Sequence, residues 1–326
     1  MKTYVPEYYF DFQCISSRCR HTCCAGWEID LDEDTLCRYA GVSGSLGQEL
    51  RKAIAQEEDG SAHFLLQGEE ERCPFLREDG LCRLILQLGE ESLSQICTDH
   101  PRFRNEVGGR EEMGLGLCCE AAAELILEWN KPFRLVELPG AKQTCSDHWE
   151  DGADEDRPST EAAAFLQWRQ QLTDWLYTSP LPFSQKLEKM LSGRVSSLVH
   201  PATISALCEG LEYMDEEWHR LMESMEETQP WPPDAAMQRR LVNLMVYFIY
   251  RHMHNLLEDG RRDSWTGLCV LSTAAVWHAA CMLASDPGRP TAAELADAAR
   301  RYSSEVEYSD QNVDAIMGAL ADAFGE

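Results

Sequence analysis

The residues best suited to chemistry in this chain of 326 are its cysteines, eleven of whose fourteen lie within the first 145 positions. The densest group is Cys14-Ile-Ser-Ser-Arg-Cys19-Arg-His-Thr-Cys23-Cys24, four thiols within eleven residues. Thiolates spaced in this way can converge on one soft ion or on an iron–sulfur cluster. A second group follows in Cys73-Pro-Phe-Leu76, Cys82 and Cys97, with Pro101-Arg102 just beyond, and then come Cys118-Cys119 and Cys145. The pattern predicts metal binding.

Other uses of cysteine fit less well. A disulfide framework needs an oxidising compartment, and Met1-Lys-Thr-Tyr-Val-Pro-Glu7 shows no apolar stretch or cleavage site of a secretory leader. The expectation is a cytoplasmic chain with reduced thiols. Cys37, Cys208, Cys269 and Cys281 stand singly in helix-like stretches, where free cysteine packs as a small hydrophobe. The radical-type pattern C-x3-C-x2-C is incomplete, because Cys19 and Cys23 are followed at the third position by Gly26. Nor does Gly41-Val-Ser-Gly44-Ser-Leu-Gly47 make a nucleotide-binding loop, since no apolar strand precedes it; it reads as a plain loop.

Charge narrows the partners. A formal net charge of −27, from 56 acidic and 29 basic residues, repels nucleic-acid phosphates, and no segregated basic patch offsets it. Such a surface suits a cationic partner, for instance a lysine-bearing protein. Membrane insertion is not expected either. The run Leu241-Val-Asn-Leu-Met-Val-Tyr-Phe-Ile-Tyr250 is short and ends at Arg251 and His252, while residues 268–284 carry His278 and fall below a spanning length. Both read as buried helices.

These residues must be positioned by two kinds of chain. After Cys145 the acidic run 146–158 cannot bury itself and reads as a linker, which predicts a metal-binding cysteine-rich domain over 1–145 and a helical domain over 159–326. Caps and apolar periodicity predict helices over 159–175, 183–191, 201–225, 234–257 (with Asp234 as N-cap), 264–284, 291–302 and 310–324. In the first half, residues 8–12 read as a short extended segment, 26–31 as an alternating stretch leading to a helix start at Asp32, Gly108-Gly109 as a hairpin turn and 120–129 as a helix. The fold class expected is mainly α: an irregular cysteine-rich metal-binding N-terminal domain packed on a C-terminal helix bundle.

An ordered set of motifs carries a resemblance. Phe12-Gln-Cys14, Cys19, Thr22-Cys23-Cys24-Ala-Gly26-Trp27-Glu-Ile29-Asp30, Cys73-Pro-Phe-Leu76, Leu81-Cys82, Gly89-Glu90 with Leu93-Ser94, Cys97, Pro101-Arg102 and Leu117-Cys-Cys119-Glu120 resemble, in that order, the flagellin lysine-N-methylase (FliB) family. Tyr302-Ser-Ser-Glu-Val-Glu307-Tyr308-Ser309 with Asn312 is similar to a C-terminal motif of the same family. The resemblance implies methyl transfer from S-adenosylmethionine to lysines of flagellin, and a cysteine-bound iron–sulfur cluster.

Residue by residue, the resemblance makes Cys14, Cys19, Cys23, Cys24, Cys73, Cys82, Cys97 and Cys119 candidate ligands. A [4Fe–4S] cluster takes at most four of them, so eight also allow two clusters, or a cluster and a zinc ion. The chain departs from the family pattern at His100, where tyrosine is usual, at Cys118 and Glu120, and at Tyr308, where histidine is usual. Arg102 is a candidate to grip the carboxylate of the methyl donor, or forms an ordinary ion pair. Trp27 stacks on adenine or a substrate chain, or seals the core. Glu307 and Tyr308 are candidates to act on the lysine. Two other functions stay open on the same residues: a non-catalytic zinc- or iron–sulfur-binding interaction protein, and an iron–sulfur redox protein.

Overall fold

Thr3–Pro6 is a strand whose partners lie more than a hundred positions away in sequence. In the computed structural model, which describes residues 1–57, 59–139, 159–191, 198–227 and 232–326, it runs parallel to Arg110–Leu115, with Thr3 opposite Glu111. On its other side it is antiparallel to Leu135–Glu137, with Val5 opposite Val136. Arg102–Val107 completes this four-stranded sheet beyond Arg110–Leu115, across the turn predicted at Gly108-Gly109. Both glycines have positive φ, 60° and 79°, as a two-residue hairpin turn requires.

That long-range pairing sets the division of the chain. One compact unit is Gln13–Arg102; the other combines Met1–Phe12 with Phe103–Glu326. Both division points, 12/13 and 102/103, lie within the stretch assigned above to a single cysteine-rich domain. The acidic run 146–158 and Cys145 lie outside the described residues.

The larger unit is helical around its sheet. The chain is mainly α, as expected, with helices at Glu120–Glu128, Thr160–Thr178, Phe183–Met190, Ala235–His252, Arg262–Leu283, Ala292–Tyr302 and Asp310–Phe324. Their starts follow side-chain chemistry: Ser159, Asp234, Thr291 and Ser309 each accept a backbone N–H of the first turn. Arg262–Leu283 packs against Ala235–His252, Ala292–Tyr302 and Asp310–Phe324. It begins earlier than the sequence suggested, which gives it the length and apolarity of a membrane span, with a mean hydropathy of 1.5; 83% of that window is buried inside the protein.

Two expectations fail in this unit. The stretch 201–225 is not one helix but Pro201–Cys208 and Glu216–Glu223, because Asp215 caps the second by accepting from Glu217 N and Trp218 N. Between them, Glu212 N donates to Asn312 Oδ1 at 2.8 Å and Met214 N to Glu305 Oε2 at 2.7 Å, so the backbone is paired outside any helix. Of the stretch 8–12, only Phe12 is extended. Glu7–Asp11 is a 3-10 turn, which buries Tyr8 edge-on to Trp129 and Phe133, with ring centroids 5.8 and 6.1 Å away.

The Thr291 cap offers a test of this packing. Glu294 accepts from Ser285 N and Oγ through one oxygen and from Thr291 N and Oγ1 through the other, all at 2.7–2.9 Å. Partial burial alone would raise its pKa, but these bonds prevail and hold it at about 2. The folded pKa therefore lies below the unfolded one, so the stabilisation is present above roughly pH 4.3 and is lost as pH falls toward about 2. Denaturant unfolding of Glu294→Gln is expected to show a loss at pH 7 that shrinks steadily through that acidic window. Thr291→Ala should cost about 1 kcal/mol at neutral pH.

The smaller unit has its own core of Ile29, Leu31, Tyr39, Leu50, Phe64, Phe75 and Leu84. Glu33–Ala40 starts where predicted, with Asp32 Oδ1 accepting from Thr35 N at 2.8 Å. The predicted loop at 41–47 is instead the entry to a helix, Gly44–Ala53, which buries Leu46 and Leu50 one turn apart. Glycine is needed here because a Cβ on residue 47 would stand 1.9 Å from the carbonyl oxygen of Val42. Ile54–Gln56 and Ala62–Phe64 form a hairpin, and the alternating stretch 26–31 lies along it through Leu31 N to Ala62 O and Phe64 N to Ile29 O.

Candidate functional site

Four cysteines surround the smaller core. Cys24, Cys73, Cys82 and Cys97 all pack on it, the first three brought there by backbone pairing and Cys97 by the helix Gln95–Asp99. Cys73 N donates to Cys24 O at 2.8 Å, Cys82 bridges to Leu76, and Arg83 N donates to Phe75 O. Cys73, Cys82 and Cys97 each feel Cys24. Burial raises the pKa of Cys73 to about 12, and the nearby charges of Cys24, Cys97 and Cys82 push the same way. Burial likewise raises Cys82 and Cys97, again with Cys24 adding to the effect. Cys24 goes the other way, down to about 7, chiefly because Cys23 donates a hydrogen bond to it, helped by Thr22 and Arg72. Near neutral pH it is the most readily ionised of the four.

Among the described residues no group of three or more His, Cys, Asp or Glu side chains is placed to hold a metal ion. The donors nevertheless suit a soft metal or an iron–sulfur cluster in kind and number, being four thiols around one core. An orphaned polar atom supports the fit. The Tyr39 hydroxyl is buried with no hydrogen-bond partner among the described residues, and its pKa is raised first by burial and then by the charges of Cys97 and Cys82. It is a donor held beside thiols without an acceptor.

The other candidates are distributed as follows. Cys14 and Cys23 are exposed and Cys19 is half-buried, with Ser16 N donating to Cys14 Sγ at 3.4 Å. Trp27 and Arg102 are half-buried in the smaller unit, where Arg102 Nη1 donates to Thr98 O at 3.2 Å. Cys119 belongs to the larger unit, at the N-cap of Glu120–Glu128.

In the larger unit two motifs singled out from the sequence meet. Ser303–Glu307 is a π-helical turn, a form often found at functional positions. Glu307, 5% exposed, accepts from Tyr247 Oη at 3.1 Å and bonds His252 Nε2 at 2.7 Å. Burial would raise its pKa, but His252 and Arg251 hold it low, so it is a carboxylate. Leu117 N donates to Tyr247 Oη, and Cys118 hydrogen-bonds Tyr308. Arg251 lies 4.3 Å from the ring centroid of Phe103 and 5.5 Å from that of Tyr308. Tyr308 is the outermost member, 38% exposed, with its pKa raised mainly by burial of the hydroxyl and then by Cys118. It keeps its proton, and so can accept or donate a hydrogen bond but not serve as a base.

Sequence reasoning singled out Glu307 and Tyr308 and did not single out Tyr247, Arg251 and His252, which the structure places beside them. The available signal was a set of polar groups at one-turn spacing on the end of an apolar helix. Other members of the C-terminal motif act structurally: Asn312 Nδ2 donates to Glu212 O and Glu305 O, at 2.8 and 2.7 Å.

Comparison with known proteins decides the family. The chain is 30% identical over 147 residues to the flagellar biosynthetic protein FliU of Salmonella muenchen, a match covering 44% of this chain and 85% of that protein. The chain belongs to the flagellin lysine-N-methylase (FliB) family. The lysine-N-methylases of Salmonella choleraesuis and Salmonella typhimurium are each 29% identical to this FliB-family chain over 143 residues, 43% of its length. The match spans about a third, 36%, of the length of those two lysine-N-methylases. No family model and no solved structure matches this FliB-family chain.

Proposed function

We propose that this protein transfers methyl groups from S-adenosylmethionine to lysine side chains, with flagellin as the protein substrate. The observation that carries the reading is membership of a family that includes proteins named lysine-N-methylase. The net charge of −27 also suits a lysine-rich partner. In this reading Cys24, Cys73, Cys82 and Cys97 hold a [4Fe–4S] cluster, the Tyr39 hydroxyl donates toward it, and Arg102 and Trp27 hold the carboxylate and adenine of the donor. Held by all four thiols such a cluster would staple the unit; held by three of them it would leave one iron open, which would supply chelation for the amino and carboxylate groups of a methyl donor.

The lysine must arrive neutral. A free lysine with a pKa near 10.4 is deprotonated only about one part in a thousand at pH 7.4, so the site has to desolvate it or accept its proton. Glu307 is too deeply buried to meet the substrate and fixes His252 and Tyr247. Tyr308, exposed and protonated, can orient the amine as a hydrogen-bond acceptor.

Incubating the purified, anaerobically reconstituted protein with S-adenosylmethionine and the flagellin of its own organism is expected to add multiples of a methyl mass to lysines, read by mass spectrometry of the flagellin. No mass gain with the cluster intact would refute the reading.

A further inference from the structure

Met214 is, among the described residues, the large apolar side chain most open to solvent, at 63%, and its neighbour Tyr213 is 48% exposed. Both lie in the connection between Pro201–Cys208 and Glu216–Glu223. Single exposed apolar residues are ordinary on a protein surface, but a loop free to move gains by covering an adjacent pair. This loop is fastened. Met214 N and Asp215 N both donate to Glu305 Oε2, at 2.7 and 3.4 Å, while Glu212 N donates to Asn312 Oδ1 and Glu212 O accepts from Asn312 Nδ2, each at 2.8 Å. The Tyr213 ring lies flat on His219, with centroids 3.9 Å apart and planes 9° from parallel.

The anchors are drawn from the interior. Asn312 is 1% and Glu305 7% exposed, and burial raises the Glu305 pKa, so a carboxylate sits where the N–H groups of this loop offset its desolvation. Two buried polar side chains thus hold an apolar pair outward. Around the pair, Glu209, Glu212 and Glu216 are exposed, while Asp215 and Glu217 are engaged by Arg301 Nη1 at 3.5 and 3.1 Å. Between residues 209 and 223 six carboxylates stand against one arginine, Arg220.

A tyrosine and a methionine inside a charged rim have the composition of a protein interface, and a loop already ordered loses little freedom when a partner arrives. A rim of one sign selects a cationic partner and steers its approach. We infer that Tyr213 and Met214 form a docking point for the protein substrate, receiving a segment that sets lysine beside an apolar side chain. The inference rests on the proposed transfer to flagellin. One π-helical turn connects the two places: Glu305 fastens the loop, and Glu307, two residues on, fixes Tyr247 and His252.

The test is calorimetric titration of the whole chain with flagellin of its own organism, together with KM and kcat for methyl transfer, in the parent and in the double variant Tyr213→Ser with Met214→Ser. Both side chains are exposed, so the variant should unfold at the parent's midpoint. Its Kd and KM for flagellin are expected to rise about tenfold or more with kcat unchanged, as for the loss of two central contact residues. Glu212→Gln with Glu216→Gln should make flagellin association less sensitive to salt. Equal flagellin affinity in parent and double variant, no flagellin binding by the parent, or a fall in kcat at unchanged KM would each overturn the inference. Flagellin that binds the parent, binds the double variant more weakly and gains no methyl groups from either would refute the proposed methyl transfer and leave the docking point standing.

Discussion

Replacing Glu112 by glutamine is expected to cost the helical unit about 3–5 kcal/mol, the usual result of stripping a buried ion pair of one partner. Glu112, 3% exposed on the strand Arg110–Leu115, accepts from Arg169 Nη2 at 2.5 Å and from Arg110 Nη2 at 2.5 Å. Arg169 is 1% exposed and lies 4.1 Å from the Tyr250 ring centroid, with Nε and Nη1 unpartnered among the described residues. One carboxylate therefore faces two guanidinium groups. The nearby His254 adds no third charge, because burial, and then His252 and Arg169, depress its pKa to about 4.

Glutamine at 112 keeps the shape and leaves both cations without a counter-charge. Urea unfolding followed by circular dichroism should show the midpoint falling with an unchanged slope. The double variant Glu112→Gln with Arg169→Met should recover a large part of the loss, since an ion pair replaced as a whole costs far less than one broken. A single-variant loss below about 1 kcal/mol would mean that water reaches the pair and screens it.

The second large effect concerns the thiols. Serine at Cys24, Cys73, Cys82 or Cys97 is expected to lower the iron retained after anaerobic reconstitution by more than about tenfold in each case, read as visible absorbance and iron content. Serine at Cys37 or Cys281, which lie outside the four-thiol set, should leave both unchanged. Tyr39→Phe should keep the iron and shift its reduction potential, because it removes one donor and no ligand. Iron retention unaffected in all four variants, or lost equally at Cys37, would place the cluster elsewhere or nowhere. Cys14 and Cys119 supply a further control, one being exposed and the other belonging to the other unit.

What could be read from the sequence divides by the range of the interactions involved. The helices at 159–175, 234–257 and 291–302 were legible because Ser159, Asp234 and the Thr291–Glu294 box announce themselves within four residues. The helix Gly44–Ala53 was not, because its glycines look like loop residues until Val42 is seen to occupy the space of the missing Cβ. The cysteines were legible as a group by spacing. That Cys24, Cys73 and Cys82 meet on one core follows only from the pairings of Cys73 with Cys24 and Cys82 with Leu76. Glu307 was legible only as a motif residue, since its partners Tyr247 and His252 stand 60 and 55 positions away.

The sheet also dictates an order of assembly. Thr3 is synthesised 108 residues ahead of Glu111, with which it pairs, and the whole of Gln13–Arg102 emerges in between. The smaller unit thus has its own core partners while the chain is still growing, whereas the first strand stays unpaired until residue 115 and, on its other side, 137 have been added. Closing so long a loop is slow relative to local helix formation. During synthesis, the exposed edge of Thr3–Pro6 therefore depends on protection from other chains.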